Sequence, residues 1–270
     1  MDIQLHEIPS DGYFSPDAFA NAFSGMTLLQ SLSLYFLSFS PRQNYVGFPP
    51  HPGERFVLPA LMCLKSRGTS KYLDSFVARI DAHRLGDIDI TFFSQPTMDA
   101  SQLGRLIELT EMQTSLSQAD VQTSTHAISI SFANSSNATP LRLQISCKQL
   151  DWQLSSMTQI CNRFSSFLFR VKNLGINTTQ WSSGQIGVDE QWLELVRSFV
   201  GASNFRTGEL TSDILRSFLV AGGGHTTILP SLRTLHIQKP MPMRGSFWDA
   251  VDSFIMNRRL SGRSVQVYLM

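Results

Sequence analysis

The residues able to do chemistry are scattered along this chain. His6, His51, His83, His126, His225 and His236 form no His-x-x-x-His pair, and Cys63, Cys147 and Cys161 form no Cys-x-x-Cys. Metal ligation draws several such groups from short spacings, so the pattern argues against a zinc site. Gly222-Gly-Gly-His225 has the glycine content of a phosphate cradle but lacks the Gly-Lys-Ser/Thr ending. It also follows a helical pattern instead of opening one, which predicts a helix-stop loop. No Gly-x-Ser-x-Gly elbow occurs, and no cysteine sits among basic residues that would hold it as a thiolate. Asp87 and Asp89 alternate with Ile88 and Ile90, the pattern of a half-buried strand before it is that of an acid–base pair. The sequence therefore predicts a protein that is not an enzyme, with no catalytic residue, no metal site and no cofactor.

What remains is chemistry of contact. Trp181, in Thr-Thr-Gln-Trp-Ser-Ser-Gly, lies in a polar loop and is the candidate exposed binding aromatic. Trp152, Trp192 and Trp248 follow or sit on helical stripes and are expected in the core. If the strands all face one way, Asp89, Thr91, Asn177, His236 and Gln238 point outward together. They are polar, mixed and nearly uncharged. Such a face suits a protein partner across roughly 1,200–2,000 Å² of buried area better than it suits a polyanion.

The elements that must carry this face are announced by a repeated phrase: an apolar residue, two others, an apolar residue, one other, and usually a third apolar residue. The copies are Leu29–Leu32–Leu34, Leu61–Leu64–Ser66, Leu85–Ile88–Ile90, Val171–Leu174–Ile176 and Leu232–Leu235–Ile237, the second lapsing at Ser66. The last two positions of each copy are two apart and share one face of an extended strand. Between most copies lies helical periodicity. The clearest is 71–81, where Tyr72, Leu73, Phe76, Val77 and Ile80 make one stripe. Further helices are predicted at 15–24 (Ser15 cap, Pro16, Asp17), 99–110 (Asp99 and Gln102 in capping-box spacing), 154–168, 189–200, near 214–219 and at 246–259. A degenerate strand is read at 203–207 and a last one at 265–269. The helix at 15–24 and that last strand are expected to cap the two ends. Residues 40–57, with four prolines and two glycines, read as a long loop. Residues 119–147 alternate in three stretches and read as an irregular repeat expanded into a small antiparallel meander.

One strand followed by one helix, repeated, is the signature of a leucine-rich-repeat solenoid. The expected architecture is thus α/β: an irregular horseshoe of about seven or eight repeats forming one domain over residues 1–270. Copies lie about 24 to 32 residues apart, so helices should back the strands.

Composition narrows the setting. Hydrophobic residues are 42% of the chain and charged residues only 16%, with net charge +1, so nothing argues for nucleic acid or an anionic membrane. The one basic cluster, Arg258-Arg259 with Arg263, is expected at a helix end, where cations suit the dipole. Cys147 and Cys161 read as buried thiols in a reducing compartment. The first residues have no positive n-region or apolar run, and no window approaches a membrane span. The sequons at Asn134, Asn137 and Asn177 then read as products of Ser/Thr richness. An intracellular protein, in cytoplasm or nucleus, is expected.

Leu58-Pro-Ala-Leu61 with Leu64, Leu229-Pro-Ser-Leu-Arg-Thr-Leu-His-Ile237, the run Tyr72–Phe93 and the run Ile145–Cys161 carry a family resemblance. Across most of residues 25–262 the chain resembles the leucine-rich-repeat-like region of F-box proteins expanded in mushroom-forming basidiomycete fungi. That resemblance implies an intracellular horseshoe that recruits protein clients to a Skp–cullin ubiquitin ligase. An F-box, the helical segment that docks the Skp adaptor, would precede this region and is not read here, so Skp is expected as a partner only where an F-box is supplied. A stand-alone or truncated paralogue without a ligase role stays open, as does a small α/β hydrolase or transferase.

Overall fold

In the computed structural model, which describes residues 1–9, 14–37, 55–134, 140–178, 188–207, 218–220, 228–238 and 245–270, all five apolar phrases enter a strand through a tight turn. The first apolar residue closes the turn by donating its N–H three residues back: Leu29 to Met26, Leu61 to Leu58, Leu85 to Ala82, Val171 to Leu168 and Leu232 to Leu229, at 3.0–3.1 Å. The other two enter the strand and point inward. Ala202 does the same on Phe199 at 3.1 Å, so the degenerate strand near 203–207 is a full copy with Ala202, Phe205 and Thr207 in the apolar places. The fold is mixed α/β with mostly parallel strands, and the chain separates into two compact units.

The first unit comprises residues 1–116 and 133–146. Its strands β1 (Asp2–Ile8), β2 (Ser31–Phe36), β4 (Cys63–Gly68), β6 (Asp87–Phe93) and β9 (Leu141–Ser146) pair in parallel in that order. Register brings Leu32, Leu64, Ile88 and Leu141 into one fully buried row, and Leu34, Ser66, Ile90 and Leu143 into the next. Ser66, the lapse in the pattern, is accommodated inside. Helices α1 (Pro16–Phe23), α2 (Ser70–Val77), α3 (Ser101–Glu108) and α4 (Met112–Ser115) pack in sequence. Phe19, Phe23 and Phe76 meet edge-to-face between α1 and α2, with centroids 5.3–6.4 Å apart.

The second unit comprises residues 117–132 and 147–270. Here β7 (Gln118–Thr123), β10 (Asn173–Thr178), β11 (Asn204–Thr207), β12 (Thr234–Ile237) and β13 (Gln266–Leu269) are parallel and adjacent. Ala119, Leu174, Phe205, Leu235 and Val267 form the matching row. The helices are α5 (Leu150–Arg163), α6 (Ser165–Leu168), α7 (Val188–Arg197) and α8 (Gly245–Leu260), with residues 218–220 also helical. No helix among the described residues is long and apolar enough to cross a membrane.

Several expectations are corrected. The N-terminal residues form β1, so the edge of the first unit's sheet is a strand, and α1 packs against α2. Charged and polar side chains alternating with Ile3 and Leu5 concealed this strand. Within 40–57, Phe56–Val57 is a strand, β3, paired with β5 (Ile80–Asp81); residues 40–54 lie outside the described residues. Ile80 therefore leaves the predicted helix, which ends at Val77. The three alternating stretches of 119–147 are strands, as expected, and β7 and β8 (Ala127–Ala133) form a hairpin, closed by Ser124 N–H on the Ala127 carbonyl at 2.8 Å. The third stretch, β9, belongs to the first unit and runs parallel to β6. Trp192 is buried, but Trp152 and Trp248 are 42% and 39% exposed, because each sits to one side of its helix's buried stripe. Cys161 is buried and Cys147 only half-buried.

Buried polar side chains on helices tie these turns down. Asp74 of α2 accepts from Gln102 N–H at 2.7 Å and Leu103 N–H at 3.1 Å, capping α3 from outside its own sequence. Asp99, the expected cap, bonds Ser101 instead. Gln153 of α5 donates to the carbonyls of Ser124 and Cys147 at 3.2 and 2.6 Å, fixing the hairpin turn. Arg258, in the last helical turn as expected, is buried: it donates to the carbonyls of Ile228 and Leu229 and lies over the Phe254 ring. Leu229 sits at φ 49°, a backbone conformation uncommon for a non-glycine, and this grip holds it there.

Three predictions follow from these contacts. Ile88→Asp puts an unpaired charge between Leu64 and Leu141 and should cost more than about 4 kcal/mol, abolishing soluble expression; a soluble, cooperatively melting variant would contradict the assigned face. Asp74→Ala should cost about 1–2 kcal/mol through loss of the α3 cap. Burial raises the Asp74 carboxyl above the usual carboxylate range, against the two N–H groups that favour the anion. The folded state then holds the proton more tightly than the unfolded chain, so from about pH 4 upward, until the raised value is passed, stability falls with rising pH. Urea midpoints of Asp74→Asn, which keeps an acceptor and carries no charge, should lack that component; identical pH curves for the two proteins would refute it.

Candidate functional site

Alternation along the strands leaves one face polar and part-exposed. In the second unit this face forms a shallow groove of about 520 Å³ across β7, β10, β11, β12 and β13. Its centre is set by register. Asp120, Gly175, Arg206, His236 and Tyr268 are consecutive rungs of the ladder, so their outward positions lie in one row across five strands. The row beside it is Gln118, Asn173, Asn204, Thr234 and Gln266.

The contacts in these rows are specific. Arg206 Nη2 reaches Asp120 Oδ1 at 3.2 Å, two strands away, by passing over Gly175. A Cβ at Gly175 would lie 2.0 Å from that carboxylate oxygen, so the missing side chain is what lets the pair close. The His236 and Tyr268 rings stack, centroids 5.0 Å apart and planes 14° from parallel, and Tyr268 Oη donates to Gln266 Oε1 at 3.0 Å. Asn204 Nδ2 donates to Asn173 Oδ1 at 2.7 Å. The Asp120–Arg206 pair is well exposed, so solvent screening makes it worth under about 1 kcal/mol. Its contribution is geometric: it holds a carboxylate and a guanidinium in fixed order beside the aromatic stack, a surface of directional donors and acceptors.

Of the residues singled out from sequence, His236 lines this groove, and Asn177 and Gln238 are exposed on the same strand face, two residues beyond Gly175 and His236. Asp89 and Thr91 lie in the first unit, half-exposed on β6. There Asp89 falls between Lys65 and Arg142 in register, and Thr91 between Arg67 and Gln144. That unit's face also carries a His–Tyr stack, His6 on Tyr35 at 4.7 Å, and Arg67 over the Phe93 ring at 5.5 Å. Trp181 and Gly222–His225 lie outside the described residues. Sequence reading missed Asp120, Gly175, Arg206 and Tyr268. Aligning the copies on their apolar positions would have found them, since each sits between the last two inward residues of its strand.

Among the described residues, no three His, Cys, Asp or Glu side chains gather in a way that could hold a metal ion. Burial, then the Asp87 carboxylate whose Oδ2 accepts from Sγ at 3.3 Å, pushes the Cys63 thiol up, and burial alone raises Cys161. Both therefore stay protonated and poorly nucleophilic at neutral pH. No protein-family model matches the chain, and no curated protein matches it.

Gly175→Ala should separate the groove from the fold. In the native background the new methyl displaces Asp120 and costs about 1 kcal/mol; in an Asp120→Ala background it should cost nothing. A double-mutant cycle with equal costs in both backgrounds would mean the clash is with backbone and the pair is incidental.

Proposed function

We propose that this chain is a non-catalytic recognition module, a leucine-rich-repeat-like horseshoe that serves as the client-binding part of an F-box protein in a Skp–cullin ubiquitin ligase. The observation that carries the reading is the one-sided strand face: from β7 through β12, strand after parallel strand buries the same two positions and turns the residue between them outward, so unrelated segments contribute, with Tyr268 of β13, to one continuous row of polar and aromatic groups. Rigid rows of this kind select a partner by matching hydrogen bonds and charge over a broad area, with the chemistry supplied by another subunit. The ligase connection rests on the sequence resemblance.

The proposal has two separable tests. The chain as it stands should not co-precipitate a Skp adaptor, and fusion of an F-box ahead of Met1 should confer association; adaptor binding without the fusion would overturn the role given to that segment. For the face, a photo-crosslinking residue at His236 should capture a discrete protein from a basidiomycete lysate, while the same residue at exposed Asp252 of α8 should not. Arg206→Glu should cut the His236 capture at least ~10-fold with the melting temperature unchanged. Equal labelling from both faces would remove the strand face as the recognition surface.

A further inference from the structure

A second concavity of about 950 Å³ lies in the second unit, at the amino ends of β10 to β13. Its charge is one-sided: Lys172, Arg233 and Arg263 line it with the hydroxyls of Ser203, Ser231 and Ser264, and no carboxylate is among the described residues that line it. The ladder brings these groups together. Ser203 N–H donates to the Lys172 carbonyl at 2.9 Å, and Arg233 N–H donates to the Ser203 carbonyl at 2.7 Å. Lys172 and Arg233 therefore start strands on either side of Ser203, about 10 Å apart at the backbone. Behind this rim lies the buried Arg258, its guanidinium on the carbonyls of Ile228 and Leu229, the residues just before Pro230 and Ser231 of the lining. The guanidinium of Arg263 is close enough to act against the charge of Arg258.

For a chain of net charge +1, three exposed cations lining one basin, with buried Arg258 behind them and no acid among the described lining residues, are a concentration of positive charge that an anion would offset. Guanidinium and ammonium groups beside hydroxyls are the donors that oxyanions take, arginine in bidentate fashion. Pro230 and Leu232 add an apolar wall, and the volume exceeds that of an inorganic anion.

We propose that this basin is a binding site for a small diphosphate-bearing ligand, held by Lys172, Arg233 and Arg263. Thr234 lines both the basin and the strand-face groove, so a bound diphosphate would adjoin the recognition surface without depending on its role.

Calorimetric titration of the full chain with pyrophosphate and, separately, with adenosine diphosphate tests this at low ionic strength. Binding tighter than about 100 µM by at least one of them is expected. Stronger binding of the nucleotide assigns an organic diphosphate, and equal binding assigns the inorganic group alone. Arg233→Gln and Arg263→Gln, both exposed, should each weaken binding about 10-fold and together abolish it, while Arg206→Gln on the strand face should leave it unchanged. No heat and no upward thermal shift at millimolar ligand, sulfate binding as tightly as pyrophosphate, or a double variant that binds like the native chain would each overturn the site.

Discussion

A single carbonyl just before a strand, accepting from two residues of the next, organises the rest. Gln30 accepts from both Met62 and Cys63, Met62 from Gly86 and Asp87, Lys172 from Ser203 and Asn204, and Ser203 from Arg233 and Thr234. Each fork fixes where the next strand begins, and with it the register of every side chain that follows. A slip of one residue would turn the buried rows outward and the polar rows inward. Leu32, Leu64, Ile88 and Leu141 in one unit, and Ala119, Leu174, Phe205, Leu235 and Val267 in the other, are the consequence.

The same constraint explains why one polar face can be built from segments with no likeness in sequence. The inward positions must be apolar, or small enough to be sealed in, as with Ser66 and Thr207. The outward positions are free to vary, and in the second unit they supply a carboxylate, a glycine gap, a guanidinium and a stacked imidazole–phenol pair in one line. Because the backbone spacing is set by the ladder, Asp120 and Arg206 can meet only across a residue without a side chain. Composition alone carries no trace of that dependence.

Buried polar groups do a different job. Asp74, Gln153 and Arg258 each leave a helix to satisfy backbone groups of a neighbouring turn, so helices and strand-leading turns are locked to one another and not merely stacked. Such bonds are costly to half-satisfy in a dry interior, which makes the turn geometry specific. Arg258 illustrates the trade: its buried charge secures the Leu229 turn and, with Arg263, concentrates positive potential where the strands begin.

Strand and helix identity were legible in the sequence wherever an apolar period ran uninterrupted, because burial of one face demands that period whatever the partner. The five phrases, α2, α5, α7 and the capped start of α1 belong there. So did the outward position of His236, Asn177 and Gln238, which follows from alternation alone. The tertiary structure decided what depends on pairing between segments far apart in the chain: that the N-terminal residues form β1, that Phe56–Val57 pairs with Ile80–Asp81, that Asp74 caps a helix 27 residues on, and that Asp120, Arg206 and Tyr268 join His236 in one row. Local periodicity records only whether a residue faces inward or outward. Which outward residues become neighbours is settled by register, and register is a property of the assembled ladder.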